Sequence, residues 1–198
     1  MAEKYPVKKY PIVGVCGLDC GLCPRYHTDG KSKCSGCCGA GFWEVHPPCF
    51  FITCAVKQKG LETCGQCTEW QECLKYSQLL ESEQGYDSFI SYKPVSKNIT
   101  FIRKYGITGF AKQATEKQNL LFFILNNYDD GRSKLFFCTA CQLIPLNKMH
   151  ETVTSIKSKI PEGADIKKKA KIARATINKT ADSLKIDLKL RKWSRTHE

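Results

Sequence analysis

At 198 residues and 42% hydrophobic content, the chain can form one sizeable domain or two small ones and is too apolar for disorder to be expected. Its formal net charge is +12, and no stretch approaches the roughly 20 apolar residues that span a bilayer, so a membrane protein is not expected. The opening MAEKYPVKKYPIVGVCG carries charge without an apolar signal core, which argues against a secretory leader.

A reducing, cytoplasmic setting is therefore expected, where disulfides rarely persist. The chain has thirteen Cys, an odd count, and eleven of them fall between residues 16 and 73. Burial as small apolar groups accounts for one or two thiols, but not for eleven in so short a segment. Metal coordination is the remaining way to hold them together.

Three zones follow in chain order. Residues 1–80 read as a Cys-rich, metal-binding region of small loops, in which the run Pro11 to Val15 is predicted as a short strand leading to the first Cys. Residues 81–100 are polar and read as a connection. Residues 96–198 read as a helical domain. Within it, one helix is predicted from Ser96 to near Gly106 and a longer one over 107–127, with Phe110, Ala114, Leu121, Ile124 and Leu125 toward a core. Asn126 to Gly131 is a stop and turn. A further helix is predicted from Ser133 to Ile144, and Pro145 can open the next.

The last predicted helix spans Asp165 to Leu184, with Ile166, Ala170, Ala173, Ile177 and Ala181 as its apolar stripe. Beyond it, Ile186 to Trp193 alternates like an edge strand. The fold class expected is mainly α with small irregular or β parts, the Cys-rich metal-pinned N-terminal region packing with the C-terminal helices.

Spacing carries the chemistry. Cys16, Cys20 and Cys23 come first, then Cys34 and Cys37 with Cys38 adjacent, then Cys49 and Cys54, then Cys64, Cys67 and Cys73. A two-residue gap lets both sulfurs of a tight turn reach one ion, and Gly21, Gly36 and Gly65 sit inside the three such gaps. Ten of these thiols supply two four-Cys sites, so about two Zn2+ per chain are expected. The first arrangement considered groups Cys34, Cys37, Cys49 and Cys54 at one site and Cys20, Cys23, Cys64 and Cys67 at the other, with Cys16 and Cys73 as alternates. Thiolate ligands are deprotonated, so two such sites lower the net charge to about +8. His27 and His46 could replace a thiolate but read first as ordinary loop residues, and Cys138 and Cys141 as core thiols on one helical face. Cys38 is a candidate free thiol, with no base nearby in the sequence to activate it.

Soft thiolate sets also suit an iron–sulfur cluster. Cys16, Cys20 and Cys23 have the spacing of radical S-adenosylmethionine enzymes, but the loops and helices that follow cannot build the βα barrel those enzymes need. No Ser/His/Asp triad, phosphate-binding glycine loop or paired-carboxylate motif stands out. The reading is a zinc-stabilised, non-enzymatic module that binds another macromolecule, with an iron–sulfur redox protein or enzyme component as the alternative. A third class is metal handling through a surplus thiol such as Cys38. Residues 151–198 hold 13 Lys/Arg against 6 Asp/Glu, while the first 150 hold 18 against 13. Lys167, Lys168, Lys171 and Arg174 could therefore meet nucleic acid, with Trp193 as a stacking candidate.

The segments Cys16-Gly17-Leu18-Asp19-Cys20-Gly21-Leu22-Cys23-Pro24 and Gly60-Leu61-Glu62-Thr63-Cys64-Gly65-Gln66-Cys67-Thr68-Glu69-Trp70 resemble an uncharacterised Cys-rich prokaryotic family, domain of unknown function 3795. The resemblance extends to Tyr128-Asp129-Asp130-Gly131-Arg132-Ser133-Lys134 and Leu188-Lys189-Leu190-Arg191. It departs at Gln71-Glu72, where a Pro is expected before Cys73. The resemblance implies metal binding in a bacterial or archaeal setting, often anaerobic, and no known reaction.

Overall fold

The computed structural model describes residues 7–81 and 87–192. Helices account for most of these residues, and no strand occurs among them. In the Cys-rich half the elements are short: 3-10 turns at Cys20–Leu22, Cys64–Gln66 and Trp70–Glu72, a four-residue helix α1 (Phe42–Val45), a π-helical segment Ile52–Gln58, and helix α2 (Leu74–Glu81). The second half holds α3 (Val95–Tyr128), α4 (Lys134–Leu143), α5 (Leu146–Lys159) and α6 (Ile166–Ser183).

The helical expectations match these elements closely. Helix α3 contains the two predicted helices, broken at Gly106, whose φ of 77° and ψ of 162° only glycine adopts readily. Asp165 caps α6, its carboxylate accepting the Lys168 N–H at 2.8 Å. The α6 stripe Ala170, Ala173, Ile177 and Ala181 is buried, but Ile166, its first member, is 42% exposed.

One hydrophobic core joins both halves. Val13, Leu18, Leu22 and Tyr76 of the Cys-rich half share it with Ile99, Ile102, Phe110, Leu121, Ile124, Phe137 and Ile177. The two halves are thus one packed body at their contact, with the 3-10 turns at Cys20 and Cys64 lying on α3. A satellite cluster of Val15, Cys37, Cys38, Phe42, Ile52, Ala55 and Val56 lies within the Cys-rich half.

Two strand expectations fail. Residues 11–15 form turns, and their carbonyls are taken up by the Cys-rich loops instead of a partner strand. In the segment 186–192 the alternation is real: Ile186, Leu188 and Leu190 are half-buried and the residues between them exposed. Among the described residues no strand pairs with it. Asp87 anchors the segment, accepting the Arg191 N–H at 2.8 Å and pairing with its guanidinium at 2.8 Å, while the Asp87 N–H donates to the Arg191 carbonyl.

Buried polar pairs fix the link before α3. Gln142 of α4 accepts the Ser91 N–H at 3.1 Å and donates to the Ser91 carbonyl at 2.8 Å. At the start of α3, Asn98 Nδ2 donates to Gly17 O and to Asp19 Oδ2. No helix among the described residues is long and apolar enough to cross a membrane.

Candidate metal centre

Pro11 to Val15 is the hub on which the thiol loops are hung. The Pro11 carbonyl accepts the Cys37 N–H at 2.7 Å, and that of Ile12 accepts the Gly21 N–H at 2.9 Å. The Val15 carbonyl accepts the Cys64 N–H at 2.8 Å and the Thr63 hydroxyl at 3.0 Å. Five residues therefore satisfy one donor from each of the three CxxC turns. Thr63 and Gln66 form a capping box around the third turn, the Gln66 side chain accepting the Thr63 N–H.

The glycines inside the turns permit this closeness. Gly36 has φ +88°, and a Cβ on it would sit 2.4 Å from the Pro11 carbonyl oxygen. A Cβ on Gly65 would sit 2.7 Å from Ile102 Cγ2. Gly36→Ala is therefore expected to cost about 2–4 kcal/mol, combining backbone strain with overpacking. A urea-denaturation midpoint unchanged from wild type would refute that packing.

All ten thiols singled out as ligands line one of two cavities. Cys16, Cys20, Cys23, Cys34, Cys37 and Cys49 line the first, of about 230 Å³, between Phe42, Phe51, Ile52 and Ile90. Cys54, Cys64, Cys67 and Cys73 line the second, of about 340 Å³, with Phe50, Phe51, Trp70 and Tyr76. This grouping separates Cys54 from Cys34, Cys37 and Cys49, and Cys64 and Cys67 from Cys20 and Cys23. Docking on residues 11–15 brings the Cys20–Cys23 turn against the Cys34–Cys37 turn, a pairing that spacing alone does not convey. The Cys34 N–H donates to the Arg25 carbonyl at 2.9 Å, closing the two turns into one unit.

Inside that unit the sulfurs meet. Cys37 Sγ accepts the Val15 N–H at 3.4 Å, and the neighbouring Cys20 and Cys38 thiols favour its thiolate. Those groups, with Lys8 nearby, hold Cys37 well below the ordinary thiol range. Burial pushes Cys16 up to about 12 and also raises Cys23, Cys49 and Cys64. Lys8 is 4% exposed, donates to the Val13 carbonyl at 2.7 Å, and favours the thiolate at Cys16, Cys20, Cys37 and Cys38. Nothing in the spacing of the sequence marks this lysine, because its role depends on burial.

Around the second cavity, Lys59 Nζ lies 3.5 Å from Cys67 Sγ and 2.8 Å from Glu69. Arg103 of α3 donates to the Cys67 carbonyl at 2.8 Å, with its guanidinium over the Trp70 ring at 5.1 Å. Trp70 Nε1 is buried with no hydrogen-bond partner among the described residues.

The remaining candidates lie elsewhere. Cys138 and Cys141 are buried in α4, 1% and 2% exposed. Cys38 is 1% exposed, so it is a buried neighbour of Cys37 and not a surface thiol. His27 Nε2 is hydrogen-bonded to the Gly21 carbonyl, and His46 is an exposed residue stacked on Phe42 at the rim of the first cavity. Lys167, Lys168, Lys171 and Arg174 are exposed along α6; Trp193 lies outside the described residues.

Among the described residues, no group of three or more His, Cys, Asp or Glu side chains is drawn together as a finished metal site. The donor chemistry nevertheless fits a thiophilic metal: ten thiols face two small cavities, one next to a buried ammonium. Protonated thiols do not crowd around a point until a metal displaces their protons. Compared with known protein families, curated proteins and solved structures, the chain finds no match in any of the three.

Proposed function

We propose that this protein is a metal–thiolate module that binds zinc and presents its helical half to another macromolecule. The observation that carries this reading is the division of all ten candidate thiols between two cavities. In the first, Cys20, Cys23, Cys34 and Cys37 are the favoured ligands, because two CxxC turns face each other there and Cys20 touches Cys37. A zinc ion closed by four thiolates has no open coordination position, so it organises loops and does not catalyse. Elemental analysis of protein purified without oxygen tests the reading: thiophilic metal bound at one or two equivalents supports it, and metal-free protein after incubation with zinc rejects it.

The partner surface is the exposed Lys/Arg row of α6. If it meets nucleic acid, four phosphate contacts give a slope of about −3 to −4 in log affinity against log salt. Replacing Lys167, Lys168, Lys171 and Arg174 together by Gln is expected to abolish that slope. Binding that is absent, or independent of salt, removes nucleic acid as the partner. A second reading, an iron–sulfur centre, is favoured by the four-thiol cavity alone.

A further inference from the structure

We propose that a cavity between helix α3 and the first turn of α5 binds the phosphate group of a small molecule, held between the Lys117 ammonium and the uncapped N-terminus of α5. No thiol takes part in its wall, so this site stands apart from the candidate metal centre.

The cavity holds about 550 Å³ and is lined by Gln113, Glu116 and Lys117 of α3 and by Leu146, Asn147 and His150 of α5. That volume falls within the roughly 300–1,000 Å³ of small-molecule sites. Lys117 singles the cavity out. It is only 9% exposed, yet it makes no hydrogen bond and no ion pair among the described residues. Lysines this deeply buried are almost always paired. Its Nζ is not among the side-chain polar atoms enclosed without a partner, so the ammonium keeps an opening, and the residue lines this cavity. Burial already fixes the stem, so little side-chain entropy is left to lose when an anion arrives.

The opposite wall is a helix end without a cap. Pro145 precedes α5 with no side-chain oxygen to offer, and no Asp or Glu occurs in the first turn of this 14-residue helix. The Met149 N–H makes the bond back to the Pro145 carbonyl, at 2.9 Å. The N–H groups of Leu146, Asn147 and Lys148 come before it and have no partner inside the helix. The partial positive charge of such an end favours an anion. Gln113 and Asn147 add amide donors and His150 a ring nitrogen, while Glu116 opposes an anion from an exposed position in the wall and forms no ion pair with Lys117. Donors that converge from two walls suit a phosphate, whose three strong acceptor oxygens point in different directions. A carboxylate presents two oxygens in one plane and leaves one wall unused.

The test is a titration of the full chain with inorganic phosphate, followed by amide NMR shifts. The expected result is a saturable shift of the Leu146, Asn147 and Lys148 amides. Lys117→Met keeps the buried stem and removes the charge, and is expected to weaken binding about tenfold or more. Glu116→Gln changes an exposed residue, leaves the fold intact, and is expected to tighten binding about two- to threefold. It therefore tests the site even if Lys117→Met does not fold. Acetate is expected to bind more weakly than phosphate. Shifts confined to the exposed lysines of α6, or shifts at α5 that neither substitution alters, would mean an adventitious ion only and overturn the proposal. No shift at residues 146–148, or acetate binding as tightly as phosphate, would overturn it as well.

Discussion

Removing metal from the purified protein at neutral pH is expected to unfold residues 7–73 while helices α4 to α6 keep their circular-dichroism signal. The Cys-rich half has no helix longer than the seven-residue π-helical segment before α2 begins, and its 3-10 turns are three residues each. Structural zinc contributes on the order of 10–16 kcal/mol in small thiolate modules, comparable with the entire 5–15 kcal/mol stability of a typical domain. Beyond Val13, Leu18 and Leu22, this half buries only the small satellite cluster around Phe42 and Ile52. Amide hydrogen exchange after treatment with a strong chelator measures the effect directly. Loss of protection at Cys37, Gly21 and Cys64, whose N–H groups donate to the 11–15 hub, is the expected signature. Unchanged protection there would mean that the thiols organise the fold without metal, and the reading would have to be abandoned.

Asp87→Ala is expected to cost about 3–5 kcal/mol, the range for breaking a buried ion pair and stranding one partner. The Asp87 side chain is fully buried and that of Arg191 is 19% exposed. Burial opposes ionisation of this carboxyl, but the bonds from Arg191 and from the Tyr92 N–H outweigh burial and hold it below the ordinary value. The pH dependence follows from that direction. The carboxylate's contribution is complete above the unfolded value near 3.9, and is lost as pH falls toward the lower folded one. Between pH 5 and 3 the wild-type melting temperature should therefore fall more steeply than that of Asp87→Asn. Parallel curves for the two proteins would show that the charge of Asp87 contributes nothing beyond its hydrogen bonds.

Helices α3 and α6 were legible because each buries a stripe at three- and four-residue spacing, and Gly106 and Asn126 to Gly131 mark where the pattern breaks; of α5 only the start at Pro145 was read. The same logic placed Cys138 and Cys141 in the core. What spacing could not convey was docking. The CxxC turns are local, but which turn meets which is decided by the carbonyls of residues 11–15, a relation between residues 26 positions apart for Cys37 and Pro11 and 49 apart for Cys64 and Val15. The alternation in 186–192 reported one-sided burial correctly; the absent neighbour strand is a property of the fold, and Asp87, 104 residues from Arg191, takes its place. Helix α2 went unread because its eight residues follow directly on the last of the clustered thiols.

The seating of the Cys-rich loops on α3 also has a consequence in time. A ribosome releases the chain from its amino end, so all eleven clustered thiols are made before Ile99 and Ile102 exist to cover them. The bonds that seat the first loops span long stretches: Asn98 to Gly17, 81 residues, and Lys134 to the His27 carbonyl, 107 residues. Contacts of such range form late. During synthesis the thiols are thus open to whatever metal or oxidant is at hand, and under the proposed metal–thiolate reading a first ion would bind before the helices that later enclose it are made.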